Sequence, residues 1–422
     1  MSFSEWREVV LKDVIEFNPK ESIKKGTVTK KIGMDKLAPF QRKIDGFELA
    51  EFSGGSKFRN GDTLLARITP CLENGKTAQV MILDDDEIAF GSTEYIVMRN
   101  KTGITDNNYI FYLSLSQYVR DTAIKSMTGT SGRQRAQTDV IKNTKIMLPP
   151  LQEQKAIAHI LSTLDDKIEV NNQINKTLEN MAQEIFKQWF VDFEFPNEDG
   201  ESYKSSGGEM VESELGLIPK GWEVASLYDI ADHINGTSFK KNEVNEFEGI
   251  PIIKIVEIKN GYSKSTSFYN GTTNKAKKYY LRKRDILFSW SGNPETSIDI
   301  FIWSKEQGIL NQHIFKVEPY DYSKSYIYFL LKNFKSVFMD IASNKQTTGL
   351  GHVTVADLKR LKTPIPNEEI LSEFIKISDV IIEKIFNNMQ EIETLQSLRD
   401  SLLPKLLSGE IRVPLDEEGV VS

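Results

Sequence analysis

The chain has 422 residues, 39 % apolar and 27 % charged, with 26 Gly, 14 Pro and one Cys, a composition that excludes collagen-like, disordered and disulfide-stapled proteins and suits roughly two to four domains. Its net charge of −7 speaks against a nucleic-acid surface spread over the whole molecule, although a total hides segments of opposite sign. Cys71 alone closes no internal disulfide, the histidines His159, His233, His313 and His352 lack metal-ligand spacing, and no run of about 18 apolar residues occurs; these features predict a cytoplasmic protein without metal or membrane contact.

Residues 1–150 alternate short β-branched and aromatic runs, LLARI and YIVMR among them, with Gly, Asn and Asp turns, the pattern of an α/β domain. The acidic run from Asp84 to Glu87 reads as a solvated turn. Late in the domain, TGTSGRQRAQT (128–138) sets Arg133, Gln134 and Arg135 on a Gly-containing loop, and the forks of such side chains match guanine and adenine edges. After Pro149 and Pro150, residues 151–193 place apolar side chains every three or four positions, predicting an amphipathic helix of about 40 residues. Asn171 interrupts its stripe. Trp189, Phe190 and Phe193 at its end exceed what a seam between two helices needs, and predict a docking site for a partner; packing on a neighbouring domain is the competing explanation. The Glu-, Ser- and Gly-rich segment 194–220 reads as a connector.

From Trp222 the chain starts again. Trp6, Leu11 and Asp13 recur as Trp222, Leu227 and Asp229, and RNGDTLLAR (59–67) recurs as RKRDILFSW (282–290), matching Asp62 to Asp285. In residues 221–366, KAKKYYLRKR (275–284) interleaves Lys275, Lys277, Lys278, Arg282, Lys283 and Arg284 with two tyrosines, as a phosphate-contacting surface or a solvated charged face does. KQTTGLGHVT (345–354) stands where the first domain has its Arg/Gln loop and offers Gln346, Thr348 and His352. Residues 367–422 hold a second helix over 367–403, fading toward 408, where Pro404 should kink or end it and Gly409 should stop it. The chain is thus a duplicated two-part module. A long striped helix needs a partner, and its own duplicate is the obvious one; if the two run antiparallel about a pseudo-two-fold axis, Asn171 faces its equivalent Asn388 and fixes the register.

Divided this way, the charge sorts itself: +3 for residues 1–150, −8 for 151–220, +5 for 221–366 and −7 for 367–422. Counterion release rewards local positive charge, so two basic domains on acidic helices suit DNA despite the total. Catalytic motifs are missing. Gly75-Lys76-Thr77 lacks the upstream glycine of a phosphate loop, and Glu257-Ile258-Lys259 lacks the Pro-Asp of a nuclease metal site. The pattern favours a non-catalytic recognition chain over a nuclease; a coiled-coil scaffold with two protein-binding domains is the alternative from another class.

The organisation, together with LPPLQEQKAI (148–157), IFKQWFVDFEFP (185–196), LGLIPKGWEV (215–224) and LLPKLLSGEIRV (402–413), resembles the DNA-specificity subunits of type I restriction–modification systems over nearly the whole chain. The resemblance implies an α+β fold with two target-recognition domains, 1–150 and 221–366, set apart by two long antiparallel helices. Each domain would read one half of a bipartite double-stranded DNA target. It also implies two methyltransferase subunits and restriction/translocase subunits as partners, with S-adenosylmethionine, ATP and Mg on those chains and no cofactor on this one. One departure stands out: the central copy carries the family's Pro149, Pro150, Glu153 and Gln154, whereas the C-terminal copy reads PNEEILSEF, without the glutamine. The second helix is therefore expected to dock its partner differently.

Overall fold

The computed structural model describes residues 5–263, 265–346 and 349–414. The chain divides into two compact units, Met1–Glu169 with Ile392–Ser422, and Val170–Glu391. Each unit therefore combines one globular domain with parts of both long helices.

In the first unit, Ile15–Phe17, Tyr95–Asn100, Thr63–Ala66 and Thr77–Gln79 form a four-stranded antiparallel sheet in that spatial order. Thr63–Ala66 is buried throughout, which is why its run lacks an alternating polar face. A second sheet orders Glu48–Glu51, Val28–Ile32, Ala89–Gly91 and Ser56–Phe58, with a parallel pair at its centre. Asp106 and Ser116 accept backbone N–H bonds at the starts of helices Asn107–Leu115 and Gln117–Lys125, as N-caps should. Arg7–Val10 pairs with Lys145–Leu148 and so brings the chain's start beside the start of the central helix.

The second unit repeats the plan. Ala231–Asn235, Ile314–Pro319, Ile286–Ser289 and Asp299–Ile302 reproduce the first sheet. A second sheet again pairs two strands in parallel, Ile250–Ile253 with Gly308–Leu310. Glu223–Ser226 pairs with Lys362–Ile365 just ahead of the C-terminal helix. The Asp62/Asp285 match has the same local cause twice: each carboxylate accepts the N–H three residues back, Arg59 or Arg282, at 2.8 Å. Each is buried against a cation, Arg99 in one unit and Lys324 in the other. The duplication expected from the sequence is thus a duplication of topology, and the class is mixed α and β as expected.

The central helix spans Leu151–Phe190 and the C-terminal helix Glu368–Ser408. The latter runs through Pro404 instead of ending there, and stops at Gly409, whose φ of 77° only glycine adopts freely. Within each unit the helices pair antiparallel. Asp165 bonds Arg399 at 2.8 Å in the first; in the second, Asn171 bonds Glu391 and Asn175 bonds Asn388, numbers rising on one helix as they fall on the other. The segment 194–220 is more than a connector. It forms a hairpin, Met210–Ser213 with Gly216–Pro219, and buries Phe195 between Trp222 and Tyr203, because its aromatics outweigh its Glu, Ser and Gly content.

Candidate nucleic-acid interface

The loop of the first unit closes on itself where Thr128 and Arg135 exchange backbone bonds of 2.9 and 3.1 Å. It is stitched to the segment leaving strand Thr63–Ala66 by Ala136 N–H to Arg67 O, 2.8 Å, and Thr69 N–H to Gln134 O, 3.0 Å. This frame leaves Arg133 exposed with no ion-pair partner among the described residues, and Gln134 half-buried. Arg135 is held along one edge. Its Nε lies 2.9 and 3.0 Å from the two Glu94 oxygens and its Nη2 2.7 Å from one of them, and these bonds raise its pKa. Arg67 Nε stands 3.9 Å from the same carboxylate. Glu94 is the partner that sequence reasoning missed; 41 positions from Arg135, it carries no spacing signal.

In the second unit the basic run divides. Lys277, Lys278 and Arg282 are exposed with no ion-pair partner among the described residues. Lys278 extends over Tyr279 at 5.5 Å, the interleaving expected of a phosphate-contacting surface. The other three cations are engaged. Lys275 lies half-buried against Glu243 at 3.2 Å and over Phe239; hydrogen bonds from Thr273 and the Lys240 N–H, together with Lys275, hold the Glu243 carboxyl down at about 2. Lys283 pairs with Glu306. Arg284 turns to the C-terminal helix, pairing with Glu383 at 2.7 Å over the ring of Phe386. Of the six cations of the run, three are thus left without an acidic partner among the described residues, and acids from elsewhere in the unit engage the rest.

Gln346 is exposed and His352 half-buried. Thr348 lies outside the described residues. His352 belongs to a short strand, Gly351–His352, paired with Ser291–Gly292. Gly351 is required there, since a Cβ would meet the Ala342 carbonyl oxygen at 2.0 Å.

Two further expectations change. Asn171 and Asn388 are both buried, but neither bonds the other. Asn171 donates to Glu391 at 2.9 Å and Asn388 to Asn175 at 2.8 Å, so the register is displaced by about one turn from the assumed midpoint. Trp189 and Phe190, expected at a partner's docking site, are 8 % and 3 % exposed in the core of their own unit. Phe190 packs on Phe374 at 4.9 Å, Tyr326 at 5.4 Å and Trp222 at 5.9 Å, and Phe193 packs edge-on against Trp222 at 5.6 Å. The aromatic excess over a two-helix seam exists because the helix end also roofs a domain. Among the described residues no cluster of His, Cys, Asp and Glu is placed to hold a metal ion, and no helix is long and apolar enough to cross a membrane.

Comparison with known proteins agrees with the duplication. The family profile described as "Type I restriction modification DNA specificity domain" matches twice, over residues 3–180 and 219–399. The type I restriction enzyme MjaIX specificity subunit of Methanocaldococcus jannaschii is 31 % identical over 327 residues, covering 74 % of this chain and 71 % of that one. The HindI specificity subunit of Haemophilus influenzae is 27 % identical over 413 residues, covering 84 % and 87 %. The crystal structure of a type I restriction–modification S subunit from M. genitalium shares the fold, with a TM-score of 0.52 at 14 % identity over 96 % of both chains.

Proposed function

The chain belongs to the type I restriction–modification DNA-specificity family, and from that premise we propose that it is the sequence-reading subunit of such a complex. Each unit reads one half of a bipartite duplex target. The paired helices set the unspecified gap and dock two methyltransferase subunits, restriction/translocase subunits join them, and S-adenosylmethionine, ATP and Mg belong to those chains. The protein works in the cytoplasm and performs no catalysis itself.

The observation that carries this reading is the repeated topology: one fold, twice, each copy basic and each carrying a glycine-containing polar loop anchored beside the same strand end. Phosphate contacts position a protein and base contacts specify its site, so a duplicated reader suits a target in two parts. The free cations then act as anchors: Lys277, Lys278 and Arg282 reach phosphate, while the loops reach base edges.

Mapping modified adenines in cells carrying this chain and its methyltransferase tests the reading, and a modified motif that is not bipartite would sink it. In purified complexes, duplex affinity should fall steeply with salt. Lys277→Ala should lower the slope of log affinity against log salt by about one. Its effect should be the same on every sequence, whereas Arg133→Ala should relax one half-site. The opposite pattern would reverse the roles of anchor and reader.

A further inference from the structure

Superposing the two topologies brings three positions of each unit into correspondence. Ala66 pairs with Tyr95 where Ser289 pairs with Ile314, so Arg67 and Glu94 correspond to Trp290 and His313. Ile68 bridges Arg135 where Ser291 pairs with His352, so Arg135 corresponds to His352. The backbone repeats the match: Ala136 donates to Arg67 O at 2.8 Å, and Val353 donates to Trp290 O at 2.9 Å. The same frame thus carries Arg67, Glu94 and Arg135 in one unit and Trp290, His313 and His352 in the other.

The chemistry on that frame differs. Glu94 takes the side edge of the Arg135 guanidinium, through Nε and Nη2. A guanidinium has five N–H donors. Apart from a 3.5 Å approach of Nη1 to the Arg133 carbonyl, the outer edge formed by Nη1 and Nη2 is left to a ligand, and that edge matches the O6 and N7 acceptors of guanine. A lysine would offer a point charge with no such edge. In the second unit, Trp290 lies on Phe315 at 5.5 Å and donates its indole N–H to Asn235 at 3.1 Å, with the His313 ring 5.8 Å away. No guanidinium stands at these three places: His313 is exposed, and Trp290 and His352 are half-buried.

We infer that these equivalent triads are the specificity-determining positions of the two units: Arg135, aimed by Glu94, selects guanine in one half-site, and the Trp290/His313/His352 group, which lacks a guanidinium, reads the corresponding place in the other. Glu94 is a positioning residue and touches no base. The inference rests on the specificity-subunit reading above and adds which residues discriminate.

The test maps modified adenines in cells carrying the full chain with its methyltransferase, for the wild type and for Arg135→Ala, Glu94→Gln and His352→Ala. Arg135→Ala and Glu94→Gln should erode the same guanine of one half-site, with discrimination falling about 10- to 100-fold and the other half-site intact. His352→Ala should erode only the other half-site. Arg135→Lys, which retains charge without the fork, should behave like Arg135→Ala, whereas Glu94→Asp should recover part of the selectivity; a merely structural Glu94 would change stability and leave base preference alone. A bipartite wild-type motif that survives Arg135→Ala unchanged, or loses both halves together, overturns this inference and leaves the subunit assignment standing. A wild type that writes no bipartite motif overturns the assignment itself.

Discussion

The two units close the same joint with different chemistry. In the first, Arg412 lies over the Trp6 ring at 5.4 Å and bonds Glu153 through Nε at 2.6 Å and Nη2 at 2.8 Å, while the Trp6 indole donates to Glu153 at 3.0 Å. In the second, the repeat equivalents are Phe195, Trp222 and Ile370: Phe195 stacks on Trp222 at 5.3 Å, and Ile370 packs on the same cluster. One backbone arrangement is held by a charge-assisted clasp in one half and by an aromatic stack in the other. The repeat replaces Glu153 and Arg412 together, by Ile370 and Phe195, so the second joint keeps no unpaired charge from the first.

The sharpest way to break the second joint is Phe195→Ala. Phe195 is 4 % exposed and stacked on both faces, so the substitution removes a large apolar side chain and leaves a cavity, at a cost of about 3–5 kcal/mol. Hydrogen exchange should show the loss in strand Ile286–Ser289, with strand Thr63–Ala66 unchanged. Equal loss in both strands would mean that the halves do not carry separate joints.

Arg412→Ala attacks the first joint and should cost about 2–3 kcal/mol. Glu153 is 2 % exposed, and removing its partner leaves a buried carboxylate with only the indole N–H. The more informative variant rewrites the clasp as its counterpart. Glu153→Ile with Arg412→Phe should recover most of the loss seen in Arg412→Ala, since replacing both members of a buried pair by apolar groups can be nearly neutral. Chemical denaturation of the single and double variants measures the difference. A double variant no more stable than the single would show that the two joints are not interchangeable.

Much of this was legible in the sequence because it is carried by local pattern. The 216-residue recurrence of Trp6 as Trp222, the two helical stripes and the Asp62/Asp285 turns each follow from neighbours in the chain. What was not legible depends on who meets whom across the fold. Glu94 lies 41 residues before the arginine it aims. Nothing adjacent to Trp189 or Phe190 announces that Phe374 and Tyr326 will cover them. A pseudo-two-fold axis alone would place Asn171 on Asn388, whereas packing places Glu391 against Asn171 and Asn175 against Asn388. Half of the basic run was spent on Glu243, Glu306 and Glu383, which a count of charge per segment treats as background.

The smallest expected difference between the halves is one of acid sensitivity. Strand Ala231–Asn235 carries His233 where the first unit has Phe17: His233 pairs with Val317 in register as Phe17 pairs with Met98. The imidazole is 8 % exposed between Tyr228 and Phe315, its Nδ1 faces the Ala231 carbonyl at 3.0 Å, and its Nε2 is buried without a partner. Burial pushes its pKa down from 6.5 to about 4, against the smaller opposing pull of the Ala231 carbonyl and Asp232. In the unfolded chain the same group takes its proton near pH 6.5. The folded state's advantage is therefore full above that pH and is lost as pH falls toward 4, with about 2 kcal/mol gone by pH 5. His233→Phe, which copies the first unit, should flatten this loss in the second unit between pH 6.5 and 5 while leaving stability at pH 8 within about 1 kcal/mol. Hydrogen exchange of strand Ile286–Ser289 across that range reads it directly, and an unchanged pH profile in His233→Phe would place the acid sensitivity of this unit on its carboxylates.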